Sequence, residues 1–246
     1  MRELVVNADD LGLSPGVNEG IARAHLEGIV TSASLMVRQP AAEAAAELAR
    51  QLPDLGVGLH VDLAEWTPGP SGWTPLYAFV DDEDASAVAR EVEQQLALFE
   101  NLVGRSPDHL DSHQHAHRSE PLRSILGRVA DELSVPLRFQ SRFGYFGGFY
   151  GQARERRLLP HAISPRALRT AITELPDGAT ELCCHPAAQL DFRSSYGPER
   201  LQELETLCDP TVREAIAAGR LRLASFGGHR RRFHAGAETR PLMAEW

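Results

Sequence analysis

Short apolar runs alternate with longer helical patterns along this chain, and this alternation constrains the fold more than any other feature. The runs have the length and residue types of β-strands, and the segments between them carry apolar residues spaced three and four apart. Such alternation is typical of parallel βαβ units. The first expectation is a closed or nearly closed α/β barrel, and the second is an open doubly wound sheet. We predict strands at residues 3–8, 29–37, 55–63, 108–113, 135–140, 180–185 and 221–226.

The helical patterns have recognisable ends. Ser14 is a predicted N-cap, with Pro15 at the first helical position and the helix ending near Gly28. The last long helical pattern contains Pro210, which predicts a break or a kink there. The sequence therefore predicts helix boundaries as well as helix positions.

The length of 246 residues suits one large domain with a substantial core. No linker rich in Ser, Gly and Pro divides the chain, so we expect a single domain over residues 1–246 with a C-terminal tail from about 229 to 246. Two stretches, 64–84 and 141–164, are rich in Gly, Pro and aromatic residues. We predict long loops there that form a lid or a substrate wall.

Charge and cysteine content narrow the possible partners and compartment. A formal net charge of -9 argues against binding to nucleic acid or to an anionic membrane. Cys183, Cys184 and Cys208 form neither a disulfide framework nor a CxxC zinc motif, which favours a reducing compartment. The sequence shows neither a signal-peptide pattern nor an apolar stretch of the roughly 18 residues needed to span a bilayer. We therefore expect a cytoplasmic protein.

Polar residues cluster where the predicted strands end. Because the active sites of parallel α/β folds lie at the carboxyl ends of the strands, these side chains are candidates for one site. They come from five separate strands, which makes a chance arrangement a poor explanation. The candidates are Asp9, Asp10, His60, Asp62, Asp111, His113, His115, His117, Arg138 and His185.

Each element of this pattern also has a structural interpretation. His60 alone could be a hydrogen-bonded core residue, the HQHAH run from 113 to 117 could be a surface segment, and adjacent Asp9 and Asp10 could cap a turn. Together, however, one carboxylate and two imidazoles form a usual ligand set for a catalytic divalent ion. Neighbouring side chains on a strand point to opposite faces, so both aspartates reach one site only if the chain turns between them.

The run 108–113 refines the candidate ligands. If it is a strand, Asp111 and His113 lie on the same face and can both point into the site. His113 is therefore the predicted ligand of this segment. His115 and His117 remain candidates for contacts with substrate or with the ligands.

Five motifs carry a resemblance to a known family. The segments NADDLGLSPGVNEGI, GIVTSASLMV, GLHVDL, HLDSHQHAH and CCHP occur in order between residue 4 and about residue 186. They resemble the YdjC-like carbohydrate deacetylases, which include the chitooligosaccharide deacetylases. The resemblance implies a distorted seven-stranded (β/α) barrel related to polysaccharide deacetylases. It also implies hydrolysis of an N-acetyl group on an amino sugar or a short chitooligosaccharide, with release of acetate.

The resemblance assigns a role to several candidates. It implies that one divalent ion, Mg²⁺ or Zn²⁺, is held by Asp10, His60 and His113. The first acid of the pair, Asp9, matches the general base, and His185 matches the general acid. Arg138 matches a site arginine, and Asp111 is a further candidate for contacts with substrate or with the ligands.

Two segments depart from the family pattern. The run after His60 differs from the Leu-Thr-Gly type run that is common in the family, and Gln140 stands where an Arg-Pro-acid pattern is typical. Both changes lie in predicted substrate-side segments, so they bear on which sugar is bound. Beyond about residue 190, only helix and strand compatible with the fold are expected.

Two other functions fit the same candidates. One is another metal-dependent hydrolase on this kind of barrel, such as a phosphoesterase, although Arg138 is the only clear basic residue at the strand ends. The other is an inert protein that binds a metal ion or a sugar. The expected partner is an N-acetylated sugar, and a homodimer is expected from base rates alone.

Overall fold

The computed structural model describes residues 2–69, 72–153 and 157–227 of the chain. The predicted tail at 229–246 lies outside these residues. The strands are β1 (Arg2–Leu11), β2 (Ser32–Leu35), β3 (Gly56–Val61), β4 (Ala64–Gly69), β5 (Gly72–Ala78), β6 (Leu110–Ser112), β7 (Gly144–Phe146), β8 (Gly178–Cys184) and β9 (Arg222–Leu223). The helices are α1 (Pro15–Leu26), α2 (Ala42–Gln51), α3 (Ala85–Val103), α4 (Leu122–Leu133), α5 (Pro165–Glu174), α6 (Glu199–Leu207) and α7 (Pro210–Ala218). A short 3₁₀ segment, His113–Arg118, follows β6.

The main sheet is parallel, as the alternation predicts. Its strand order is β6-β3-β2-β1-β8-β7, and β9 pairs with the start of β1. Every residue of β1 from Leu4 onward is buried, as expected for a parallel sheet that is covered on both faces. Within the described ranges, no strand pairing joins the outer strands β6 and β7, so the sheet is open there.

The predicted strand at 135–140 is wrong. Only Leu137 makes a strand-like bridge, to Leu110 of β6, and the backbone then turns, since Phe139 has a φ of +65°. The strand that completes the sheet is β7, within the stretch 141–164 that we predicted to be a loop. The glycine-rich sequence around β7 has low strand propensity and does not predict a strand. Pairing with β8 stabilises β7 instead.

The predicted loop at 64–84 is also wrong, because most of it is a β-hairpin. Strands β4 and β5 pair in antiparallel register from Ala64 opposite Ala78 to Gly69 opposite Gly72. Threonine and aromatic residues in this stretch have high strand propensity, and the Gly and Pro content obscured that signal. The hairpin lies outside the main sheet.

The helix ends follow the sequence signals closely. The Ser14 side chain accepts a hydrogen bond from the Val17 N–H and so caps α1, which ends at Leu26. The break near Pro210 separates α6 from α7, and Asp209 caps the second helix. No helix within the described ranges has the length and apolar character that a membrane crossing requires.

Candidate active site

The candidate residues lie at the carboxyl edge of the parallel sheet. Asp9 and Asp10 stand near the end of β1, His60 near the end of β3, and His113 directly after β6. His185 follows β8. The strand ends therefore bring residues far apart in sequence to one place, as the parallel arrangement predicts.

A turn in the backbone explains how two adjacent carboxylates serve one site. The pairing of β1 with β2 shifts register between Ala8 and Leu11, and Asp10 within this bulge has a φ of +68°. This left-handed conformation is uncommon for residues other than glycine, and Asp adopts it more readily than most. Asp9 and Asp10 therefore lie on the same side of the sheet edge, with different partners.

Asp10, His60 and His113 form a buried cluster. His60 Nε2 lies 3.3 Å and His113 Nδ1 3.1 Å from the same oxygen, Asp10 Oδ1. One potential ligand atom from each residue lies within 4.8 Å of the other two. Burial alone would lower the pKa of His113, but the Asp10 carboxylate raises it to about 9. The two imidazoles thus converge on one carboxylate oxygen.

This donor set fits a divalent metal ion. One carboxylate and two imidazoles are typical ligands of catalytic zinc and related ions, and they leave positions for water and substrate. Two further groups within the described residues meet the same distance criterion, and both include Asp9. Asp9 already binds the Arg138 guanidinium through both oxygens, which makes it a poorer ligand than Asp10.

Asp111 orients His60 through Nδ1, the ring nitrogen that does not face Asp10. Its Oδ1 is 2.6 Å from His60 Nδ1, and its Oδ2 accepts hydrogen bonds from Ser34 Oγ at 2.7 Å and from Arg138 at 2.8 Å. Burial would raise the pKa of Asp111, but Arg138 and His60 lower it to about 2. A carboxylate in this place fixes the ring orientation and leaves His60 Nε2 free to face Asp10.

Asp9 is held by Arg138. The two guanidinium nitrogens lie 2.7 and 2.8 Å from the two Asp9 oxygens, and the arginine also binds Glu181. Burial would raise the pKa of Asp9, but Arg138 holds it well below its usual range. Burial raises the pKa of Glu181 to about 7. Asp9 is therefore an ionised, oriented carboxylate beside the cluster.

His185 also lies near Asp9. Its Nε2 lies 4.0 Å from Asp9 Oδ2. The ring packs against Tyr150 and Tyr196, and burial lowers its pKa to about 4. The His185 imidazole is therefore neutral at neutral pH.

The other predicted residues take supporting positions. His117 is buried, with Nδ1 2.6 Å from Ser112 Oγ and Nε2 3.2 Å from the Arg138 carbonyl, so it stabilises the backbone. His115 lies 3.1 Å from the Tyr145 hydroxyl and lines the cavity. Asp62 is turned toward Gln39 and Tyr77. In the HQHAH run, His113 and His117 are buried and His115 is half-buried, whereas Gln114 is exposed, so the run is not wholly a surface segment.

The sequence reasoning missed three buried charged residues. Arg200 of α6 lies 2.6 Å from Asp10 Oδ2, Glu203 of α6 accepts the His185 backbone N–H at 2.5 Å, and Glu65 of β4 is 3.6 Å from His113. The chain beyond residue 190 contains helix and strand, as expected, and α6 within it also carries two of these charged residues. The available signal was the spacing of Arg200 and Glu203 beside Leu204 and Leu207, which places charges on the apolar side of a helix.

A cavity of about 1960 Å³ opens onto this cluster. Its volume exceeds the roughly 300–1,000 Å³ of ordinary small-molecule sites. The aromatic residues on its wall come from the hairpin, from the segment 139–164 and from the loop after β8. They include Trp66, Trp73, Phe139, Tyr145, Tyr150 and Tyr196.

The fold and the site together define a class of protein: an α/β protein with an Asp-His-His cluster at the carboxyl edge of a parallel sheet. The model of the YdjC-like protein family matches residues 3–218. The chain belongs to this family, and the resemblance inferred from its motifs is confirmed.

Individual relatives agree with this placement. A chitooligosaccharide deacetylase from Salmonella paratyphi C is 34% identical over 253 residues, covering 92% of this chain and 98% of that protein. A putative cellobiose-phosphate cleavage protein from Enterococcus faecalis V583 has a similar structure, with a TM-score of 0.75, 27% identity and coverage of 92% and 97%. A family 4 carbohydrate esterase from Streptomyces lividans in complex with acetate shares the fold, with a TM-score of 0.52, 13% identity and 91% of each chain covered.

Proposed function

We propose that this protein is a divalent-metal-dependent carbohydrate deacetylase that removes an N-acetyl group from an amino sugar or a short chitooligosaccharide and releases acetate. Membership of the YdjC-like family and the chitooligosaccharide deacetylases among its relatives support the deacetylase class. The single observation that carries the chemistry is the convergence of His60 and His113 on Asp10 Oδ1, beside Asp9.

Asp10, His60 and His113 are the proposed ligands of one divalent ion. When bound, such an ion supplies Lewis acidity, which activates water and polarises an amide carbonyl. Its identity, Zn²⁺ or Mg²⁺, stays a prediction, since imidazoles favour zinc and an open site with several waters would also suit magnesium.

Asp9 is the proposed general base. Arg138 holds both of its oxygens, so the carboxylate is ionised and fixed in orientation beside the proposed ligands. A low pKa makes it a weak base, and its effect therefore depends on position rather than on proton affinity. Arg138 is the proposed positioning residue for Asp9, and Asp111 is the corresponding residue for His60.

His185 is the proposed general acid for the departing amine. An amide needs protonation at nitrogen because an amide anion leaves poorly. Because the His185 ring is neutral at neutral pH, it must first take up a proton. The proposed source is the proton that Asp9 accepts, since His185 Nε2 lies 4.0 Å from Asp9 Oδ2.

The size of the cavity supports a substrate larger than a monosaccharide. Its aromatic wall suits the apolar faces of sugar rings, and His115 on that wall is a candidate for a substrate contact. The expected distorted seven-stranded barrel, the single domain over residues 1–246, the cytoplasmic location and the homodimer stay predictions.

The direct test is acetate release from a panel of N-acetylated sugars, from monosaccharide to short chitooligosaccharides, with metal-stripped enzyme and re-addition of Zn²⁺ or Mg²⁺. Metal-dependent release is the expected result, and the panel gives the preferred chain length and ion. Absence of acetate with every sugar and either ion would contradict the proposal.

A phosphoesterase is the second candidate, because one structural relative is described as a putative cellobiose-phosphate cleavage protein. The site favours it less, since the two arginines beside the cluster are already paired with carboxylates. A phosphorylated disaccharide in the same panel tests it, and phosphate release without acetate release would favour it.

A further inference from the structure

We propose that Glu65 is a positioning residue that orients His113 through the imidazole nitrogen facing away from Asp10. In both histidines of the proposed metal site, the ring nitrogen that faces away from Asp10 would then contact a buried carboxylate. The inference rests on the proposed metal site and is independent of which acetylated sugar is bound.

The two histidines have matching surroundings. His60 directs Nε2 toward Asp10 Oδ1 and Nδ1 toward Asp111, at 2.6 Å. His113 directs Nδ1 toward the same Asp10 oxygen, and its Nε2 lies 3.6 Å from Glu65 Oε2. Metal-binding histidines usually donate their other N–H to a carboxylate, a carbonyl or water. Asp111 fills that role for His60, and Glu65 stands in the equivalent place for His113.

Glu65 Oε2 and His113 Nε2 face each other and are complementary as hydrogen-bond acceptor and donor. Glu65 Oε2 and His113 Nε2 are both buried, and neither has a hydrogen-bond partner within the described residues. Buried polar atoms without partners are rare in folded proteins and call for an explanation. A ligand bound at His113 Nδ1 would leave the ring proton on Nε2. A shift of a few tenths of an ångström would then bring that N–H within hydrogen-bond distance of Glu65.

The position of Glu65 is fixed by its other oxygen. Oε1 accepts a hydrogen bond from the Ser195 backbone N–H at 2.9 Å, and the residue is fully buried. Oε2 is therefore held toward His113 rather than toward solvent.

A second contact between the same two segments lies one residue further along each. The Trp66 N–H donates to Gln114 Oε1 at 2.9 Å, and Gln114 Nε2 donates to the Trp66 carbonyl at 2.8 Å. Gln114 has a φ of +49°, so this side-chain pairing holds a strained backbone directly after His113. The hairpin that forms part of the cavity wall is thus tied to the proposed metal ligand at two consecutive residues.

The first test compares Glu65→Gln with Asp108→Asn. The glutamine keeps an oxygen that accepts a hydrogen bond from the Ser195 N–H, but its NH₂ group cannot accept a hydrogen bond from His113. Zn²⁺ affinity, measured by competition with a chelator, should fall about 10–100-fold. Asp108 is also a buried carboxylate, and it accepts hydrogen bonds from Arg105 and from the Val57 backbone N–H, so its variant should bind Zn²⁺ as the wild type does. Wild-type affinity in Glu65→Gln would overturn the proposal.

The second test needs no substitution, so it holds even if Glu65→Gln fails to fold. Nitrogen-15 NMR of the zinc-loaded wild type should show the ring proton of His113 on Nε2 and that of His60 on Nδ1. A proton on Nδ1 of His113, or an Nε2–H with the chemical shift of an imidazole N–H that makes no hydrogen bond, would overturn the inference. Neither test uses acetate release. A protein that passes both but releases no acetate would therefore contradict the proposed function alone, whereas a wild type that binds no Zn²⁺ would overturn both.

Discussion

At the scale of single residues, the site gives the two adjacent aspartates different tasks. Asp9→Asn should keep bound metal and lose turnover by a factor on the order of 10²–10⁴, because it removes the proposed base without touching the proposed ligands. Asp10→Ala should lose the metal itself. Metal content after gel filtration, measured beside acetate release, separates the two effects. A fully active Asp9→Asn variant would show that another group accepts the proton.

At the scale of elements, hydrogen bonds to α6 hold the segment after β8 in place. Glu203 accepts hydrogen bonds from the His185 backbone N–H and from the Tyr196 hydroxyl, and burial raises its pKa to about 8. Because the folded state binds this proton more tightly than the unfolded chain, the associated stability is complete below about pH 4.5. It is lost as the pH rises toward 8, with a slope of at most about 1.4 kcal/mol per pH unit.

The Glu203→Gln variant should therefore have a flatter profile of unfolding free energy between pH 5 and pH 8 than the wild type. The amide resembles the protonated acid and does not ionise. Urea denaturation at several pH values measures the profile. Glu205→Gln, on the exposed side of the same helix, is the matched control and should follow the wild type. Parallel profiles for Glu203→Gln and wild type would mean that this carboxyl does not titrate in that range.

At the scale of the whole molecule, the proposed ligands join strands β1 and β3 and the segment after β6, so a bound ion should stabilise the fold as a unit. Zn²⁺ at 100 times its Kd adds about 2.7 kcal/mol of unfolding free energy. For a chain of this length, that corresponds to an increase in Tm of about 5–10 °C. Calorimetry with zinc and with a chelator measures it, and Asp10→Ala should show no shift. An identical shift in that variant would place the ion elsewhere.

The sequence by itself determined the parallel α/β class, the helix boundaries at Ser14 and Pro210 and the family. These features depend on local chemistry: apolar period, capping residues and short motifs. It also indicated that Asp9 and Asp10 need a turn between them, and the φ of +68° at Asp10 supplies that turn.

Only the tertiary structure decided the rest. The sheet contains β7 instead of the strand expected at 135–140. Strand pairing depends on the neighbouring strand, which local propensity does not specify. Glu65 and Arg200 approach His113 and Asp10 from segments that no motif connects to them. A side chain's role in such a site depends on the distance between its atoms and those of its partners, and folding alone sets that distance when the partners are far apart in sequence.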